Sequence, residues 1–386
     1  MSATNGLTRS FRLLGCLMAV ALLASAMFAS SAFAKKEPTN PTAFINMGDS
    51  VSYGYSNEKF VLNFPSEPPS AFEGGYANLL GAKLAKKEAS SNNKLAIVNL
   101  ACPGEKSTGL IGNGPVAEAL EAKKEENGFT GGGAPCGWHN SSGFERHTEY
   151  GTVSQLEAAI GTIEAYGAAN VKDVTLQIGS NDELQKLGEC SNPTYLEAHG
   201  FMSFLQCVEV EAATTLFPTI IRNIGLTIGV LRNAGYAGPI GVLGFYNPQA
   251  FLVPTSDLLQ KKLNEALEAT IEAGSYGPKV AYGNPFKKIN PQGKKSQTAN
   301  QKKLAELAAI CNYTEECNPF DRKLEAEKAN KTTYTAEEWA AIEANLNMKF
   351  EKEEPGGKFL PGDIHPTPAG QELFSKLLGK ALKKAA

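Results

Sequence analysis

Ser50 follows a short apolar run in INMGDSVSYGY (45–55), directly after Gly48 and Asp49. Two readings compete for it. Serine, aspartate and glycine fill turns for ordinary backbone reasons, but a serine held at a strand end also offers a hydroxyl for chemistry. That hydroxyl is a weak nucleophile until a base takes its proton. The chain has four histidines: His139, His147, His199 and His365. His365, in GDIHPTPAG (362–370), stands between an aspartate and a helix start, where an imidazole can be held rigidly. The competing role for it is a structural cap. A base also needs an acceptor on its second ring nitrogen, and Asp363 is the nearest candidate. Ester cleavage needs donors aimed at the developing oxyanion, each worth about 100- to 1,000-fold in rate. The Ser50 N–H, the Gly104 N–H and the Asn181 side chain are of the right types. Glycine at 104 lets backbone approach a substrate closely, and Asn181 has an ordinary turn role as its alternative.

These residues need a scaffold. Short apolar runs at 42–47, 95–100, 173–178, 239–245 and 279–283 read as strands buried on both faces. Helical patterns lie between them at 75–87, 152–166, 210–234 and 256–273. In 152–166, Leu156, Ile160 and Ile163 share a face, and Thr152 with Gln155 suggests a capping box. Thr367 and Pro368 open a last helix carrying Leu373, Leu377 and Leu382. Alternating strands and helices imply a parallel sheet with helices on both sides. Function gathers at the carboxyl ends of such strands. Gly48-Asp49-Ser50, then Asn99 to Gly104, then Gly179 to Asp182 follow the first three. Two regions interrupt the alternation. Residues 112–150 are glycine-rich, and 285–358 are polar and charged, read as a helical insertion or lid in which Thr335 and Glu338 cap a helix bearing Trp339.

Four blocks in this order resemble the SGNH, or GDSL, hydrolase family: GDS at 48–50, Asn99 to Gly104, G-x-N-D at 179–182, and the D/H-P block at 363–366. They span nearly all of the chain after residue 34. The resemblance implies a flavodoxin-like three-layer α/β/α sandwich in a single domain, 35–386. It implies Ser50 as nucleophile, His365 as base, and Ser50, Gly104 and Asn181 as the oxyanion hole, with no cofactor. The family pattern is D-x-x-H, whereas Gly362 occupies the expected aspartate position. Two alternatives stand: Asp363 fills the role from a shifted backbone, or a main-chain carbonyl holds His365. With six cysteines behind a leader, the last block looks especially like that of secreted actinobacterial members.

The leader is residues 1–34. Arg9 and Arg12 precede an apolar stretch that ends at Ala32-Phe33-Ala34, the pattern of a secretory signal peptide. Six cysteines then remain, an even number suited to an oxidising space. Of fifteen pairings, the simplest joins neighbours: Cys102–Cys136, Cys190–Cys207 and Cys311–Cys317. Losing the two leader arginines carries the net charge from −3 to −5. No basic bias remains to neutralise nucleic acid. The most apolar later segment, 216–231, carries Pro218 and Arg222 and reads as a core helix rather than a membrane span. GEKSTG (104–109) lacks the lysine after its second glycine that a phosphate loop requires. Neither G-x-S-x-G nor H-E-x-x-H occurs, so no metal is expected. The expected function is hydrolysis of a small-molecule or lipid ester by a lipase or carboxylesterase, with 60–72 and 285–358 lining an acyl pocket. A carbohydrate O-acetyl esterase using the loop around Trp138 is the alternative, and a non-catalytic secreted binding protein on the same fold is a third reading.

Overall fold

A computed structural model describes residues 41–63, 69–91, 93–134, 136, 153–190, 204, 206–248, 250, 256–318, 335–336 and 363–386. The leader and the Trp339 helix lie outside these residues, as does most of the loop around Trp138.

Five strands form one parallel sheet: β1 (Pro41–Gly48), β2 (Lys94–Asn99), β3 (Val171–Gln177), β4 (Ile240–Leu243) and β5 (Val280–Gly283). Their order is β2-β1-β3-β4-β5, parallel throughout. This is the doubly wound flavodoxin-like order, whose switch point lies between β1 and β3. The longer helices are α1 (Tyr76–Ala89), α2 (Gln155–Tyr166), α3 (Ser180–Cys190), α4 (Phe217–Asn233), α5 (Ser256–Glu272), α6 (Ala299–Tyr313) and α7 (Pro368–Ala385). The expected three-layer sandwich is the fold observed.

Burial explains the layers. Every residue of β1 after Pro41 is buried, so the strand needs cover on both faces. On one face Leu80 of α1 joins Phe374, Leu378 and Leu382 of α7 in a core with Phe44. On the other, Leu156 and Ile163 of α2, Ile220 and Ile224 of α4, and Leu263 and Leu267 of α5 pack with Ile45 and Met47. Gln206–Asn233 is, among the described residues, one helical run long and apolar enough to cross a membrane. Its C-terminal half packs in the core through Ile220, Ile224, Ile228 and Leu231.

Two details depart from the pattern reading. The capping box of α2 is made by Ser154 and Glu157, not by Thr152 and Gln155. Gln155 is fully buried and serves another purpose, described below. The start of the 285–358 segment belongs to the main body: Ile289 and Ile310 join the α1–α7 core. Thr314 bridges Pro366, and the Glu315 N–H donates to the His365 carbonyl at 2.8 Å. Three disulfides join Cys102 to Cys136, Cys190 to Cys207 and Cys311 to Cys317, with Cα separations of 5.7, 5.8 and 5.0 Å.

Candidate active site

β1 ends at Gly48, and the one-turn helix Ser50–Tyr53 begins two residues later. The turn between them demands glycine. Gly48 has φ +151°, and a Cβ there would sit 2.1 Å from the Gln177 carbonyl oxygen and 2.3 Å from Ser52 Oγ. Asp49 caps the helix: its Oδ1 accepts the Val51 N–H at 3.0 Å, and Oδ2 accepts from Gln177 Nε2 at 3.3 Å. Burial raises the Asp49 carboxyl to about 7, against the pull of those donors and of nearby His365. Ser50 itself stays 9% exposed. The Ser50 hydroxyl is thus placed at the switch point, where Asp49 and Gln177 orient the backbone that carries it.

Gly48 is gripped from the opposite layer. Gln155 Oε1 accepts its N–H at 2.9 Å, and Gln155 Nε2 donates to its carbonyl at 2.8 Å. The same carbonyl accepts the Cys102 N–H at 3.0 Å, which ties in the segment carrying Gly104. Gly104 adopts a left-handed φ of +78°. Gln155 Nε2 also reaches Glu105 Oε2, at 3.2 Å, and that oxygen takes the Cys136 N–H at 2.7 Å. The Glu105 carbonyl accepts from Asn181 Nδ2 at 2.9 Å. One buried network therefore links the ends of β1, β2 and β3.

His365 is 4% exposed and sits edge-on to the Tyr55 ring, with centroids 4.7 Å apart. Its Nδ1 bonds the Asp363 carboxylate despite the two-residue spacing. The same Asp363 oxygen accepts the His365 N–H at 3.1 Å, and the other accepts the Asn57 N–H at 2.7 Å. A tight loop, rather than a helical turn, lets the carboxylate fold back on the ring. The Tyr246 hydroxyl donates to the Ile364 carbonyl at 2.8 Å and braces that loop.

Ser50, Asn181 and His365 line one cavity of about 140 Å³. Gly104 is not in its lining. The Ser50 and Gly104 N–H groups have no acceptor among the described residues, and Asn181 keeps a second amide hydrogen. The cavity is largely apolar. Leu184 and Leu187 come from α3, Val208, Ala212 and Leu216 from the helical run before α4, and Phe217 opens α4 itself. None of the described residues of the 60–72 segment lines it. Phe60 and Phe72 pack around Tyr55 instead. Among the described residues no group of three or more His, Cys, Asp or Glu side chains could hold a metal ion.

Pattern reading missed Gln155, Gln177, Glu105 and Asn57, all of which hold the site's backbone. The one signal in the sequence is Gln155 at the start of the 152–166 helical pattern, whose spacing from Thr152 points to a cap instead.

No family model matches this sequence, and no curated protein does either. Solved structures similar to it are esterases and lipases. Phospholipase A1 from Streptomyces albidoflavus is 14% identical, with a TM-score of 0.40 over 89% of this chain and 99% of that one. An acetyl xylan esterase from Geobacillus stearothermophilus is 10% identical, with a TM-score of 0.35 over 88% and 94%. A lipolytic protein of the G-D-S-L family from Veillonella parvula is 10% identical, with a TM-score of 0.35 over 89% and 98%. Likenesses this distant carry no argument about substrate or residue roles, which rest on the side chains themselves.

Proposed function

We propose that this chain is a secreted serine hydrolase of carboxylic esters, with Ser50 as nucleophile, His365 as general base and Asp363 as the group that orients it. The observation that carries this reading is the convergence of Ser50 and an Asp363-bonded His365 on one apolar cavity. His365 Nε2 takes the Ser50 proton as Oγ attacks the ester carbonyl. The oxyanion is met by the Ser50 and Gly104 N–H groups and the Asn181 amide. Imidazolium, stabilised by Asp363, returns the proton to the departing alcohol and leaves an acyl-serine. Water, deprotonated by His365, then releases the acid and restores Ser50. The three disulfides suit an oxidising compartment outside the cytosol, which agrees with a leader at 1–34.

Cavity size bears on the acyl group. A cavity of about 150 Å³ holds a benzene ring, so 140 Å³ suits an acyl group of roughly six carbons. That favours a carboxylesterase over a long-chain lipase or an acetyl esterase. The test is hydrolysis of p-nitrophenyl esters from acetate to palmitate, wild type beside Ser50→Ala. Activity should peak at butyrate to octanoate and fall about a thousandfold or more in the variant. No turnover of any ester, or full activity in Ser50→Ala, overturns the reading.

A further inference from the structure

The cavity is not apolar all round. Facing α3 across it, α5 contributes Ser256 and Gln260, and Asn247 precedes that helix. Glu183, on the first turn of α3, also lines the cavity, two residues after Asn181. Its Oε1 accepts from Gln260 Nε2 at 3.2 Å, a bond that fixes the carboxyl and spans α3 and α5. Its Oε2 has no partner among the described residues. A carboxyl at a helix N-terminus is normally kept ionised by the dipole. Here burial, helped by the nearby Asp182 and Asp49 carboxyls, raises Glu183 to about 8. At neutral pH it therefore carries an O–H, and Lys186, the cation in the same lining, makes its ion pairs with Glu189 and Glu211 instead.

A carboxyl lining a largely apolar cavity gains from a substrate group that bonds it. A plain alkanoyl chain leaves the free oxygen of Glu183 unmatched, whereas a hydroxyl on the chain accepts from it and can donate to a neighbouring acceptor. Building on the ester-hydrolase reading above, we propose that Glu183 is a specificity-determining residue. Oriented by Gln260, its carboxyl bonds a hydroxyl on the acyl group, so short hydroxyacyl esters are favoured over alkanoyl esters of equal length. The residue touches no reacting atom and acts through binding of the chain.

The experiment compares kcat/KM for p-nitrophenyl hexanoate with that for its hydroxyhexanoate counterparts, substituted at successive carbons. Wild type, Glu183→Gln, Glu183→Leu and Gln260→Leu are assayed, each with its unfolding midpoint. Wild type should prefer at least one hydroxy isomer by about tenfold, the worth of one good hydrogen bond. Glu183→Leu should abolish or invert that preference, read as the ratio of the two kcat/KM values within the variant, and Glu183→Gln, which still offers a donor and an acceptor, should retain most of it. Gln260→Leu should weaken it. Should Glu183→Leu misfold, the Gln variant and Gln260→Leu decide the matter. A ratio unchanged across these variants overturns the proposal while the esterase stands. Absence of turnover on every ester, by contrast, removes the esterase reading itself.

Discussion

Gln155 holds Gly48 by both of its backbone groups, accepting the N–H at 2.9 Å and donating to the carbonyl at 2.8 Å. The two residues lie 107 positions apart and belong to different layers. Gly48 is the last residue of β1, so this clamp sets the position from which Ser50 is presented.

Replacing Gln155 with Leu keeps the bulk and removes both bonds. The Gly48 N–H is then left buried without its partner, at a cost of about 1–3 kcal/mol. Chemical denaturation should show that loss as a lower midpoint with an unchanged slope. Ester turnover should fall mainly in kcat, because displacements of the nucleophile by an ångström cost about a hundredfold. A variant with normal kcat would show that Gln155 serves the fold alone.

Glu105 makes stability depend on pH in an unusual direction. Burial raises its carboxyl to about 7, although the Cys136 and Gln155 donors pull the other way. Asp49 is raised to about 7 as well, again by burial. In the unfolded chain such groups titrate near 4. Between those values the folded chain binds more protons than the unfolded one, so these two groups favour folding at low pH and lose that contribution as pH rises from about 4 to 7. Each unit of difference is worth about 1.4 kcal/mol. Glu105→Gln mimics the protonated form. Urea unfolding at pH 5, 6, 7 and 8 should therefore show a stability decline in wild type that is shallower in the variant. Parallel pH profiles for the two proteins would rule this out.

The strands were legible because their runs are largely apolar: TAFINM and LAIVNL fall within a residue or two of the observed β1, buried after Pro41, and β2, a half-buried edge strand. His365 was visible because the chain has four histidines, and Ser50, Asn181 and Asp363 because they sit beside strand or helix ends. Gln155 was misread for a physical reason. Spacing identifies neighbours on one helix, and Thr152 with Gln155 has the right separation for a cap. The box that forms is Ser154 with Glu157, and what claims Gln155 is a backbone turn far away in sequence. The cavity was misplaced for a related reason. Phe60 and Phe72 are apolar enough to line one, but Tyr53 and Tyr55 stack against Phe72 first. Glu183 carries no local signal, since its partner Gln260 comes from α5.

Asp363 does two jobs, and a single substitution separates them. One oxygen bonds His365 Nδ1 and its N–H, and the other accepts the Asn57 N–H. In Asp363→Asn, the amide oxygen can still accept the Asn57 N–H, so the loop keeps its anchor. The amide nitrogen then faces Nδ1 as a donor, and the His365 N–H, which shares that oxygen in wild type, loses its acceptor. Nδ1 must accept, which places the ring proton on Nε2 and leaves no lone pair there to receive the Ser50 proton. The expected result is a fall in kcat of about 10⁴ with KM little changed and a loss of about 1–3 kcal/mol in stability from the His365 N–H. Asp363→Ala should lose comparable activity and more stability, because the Asn57 N–H loses its acceptor as well. If Asp363→Asn retains more than a tenth of wild-type kcat, His365 is oriented by a main-chain carbonyl, and the carboxylate is only a staple between two loops.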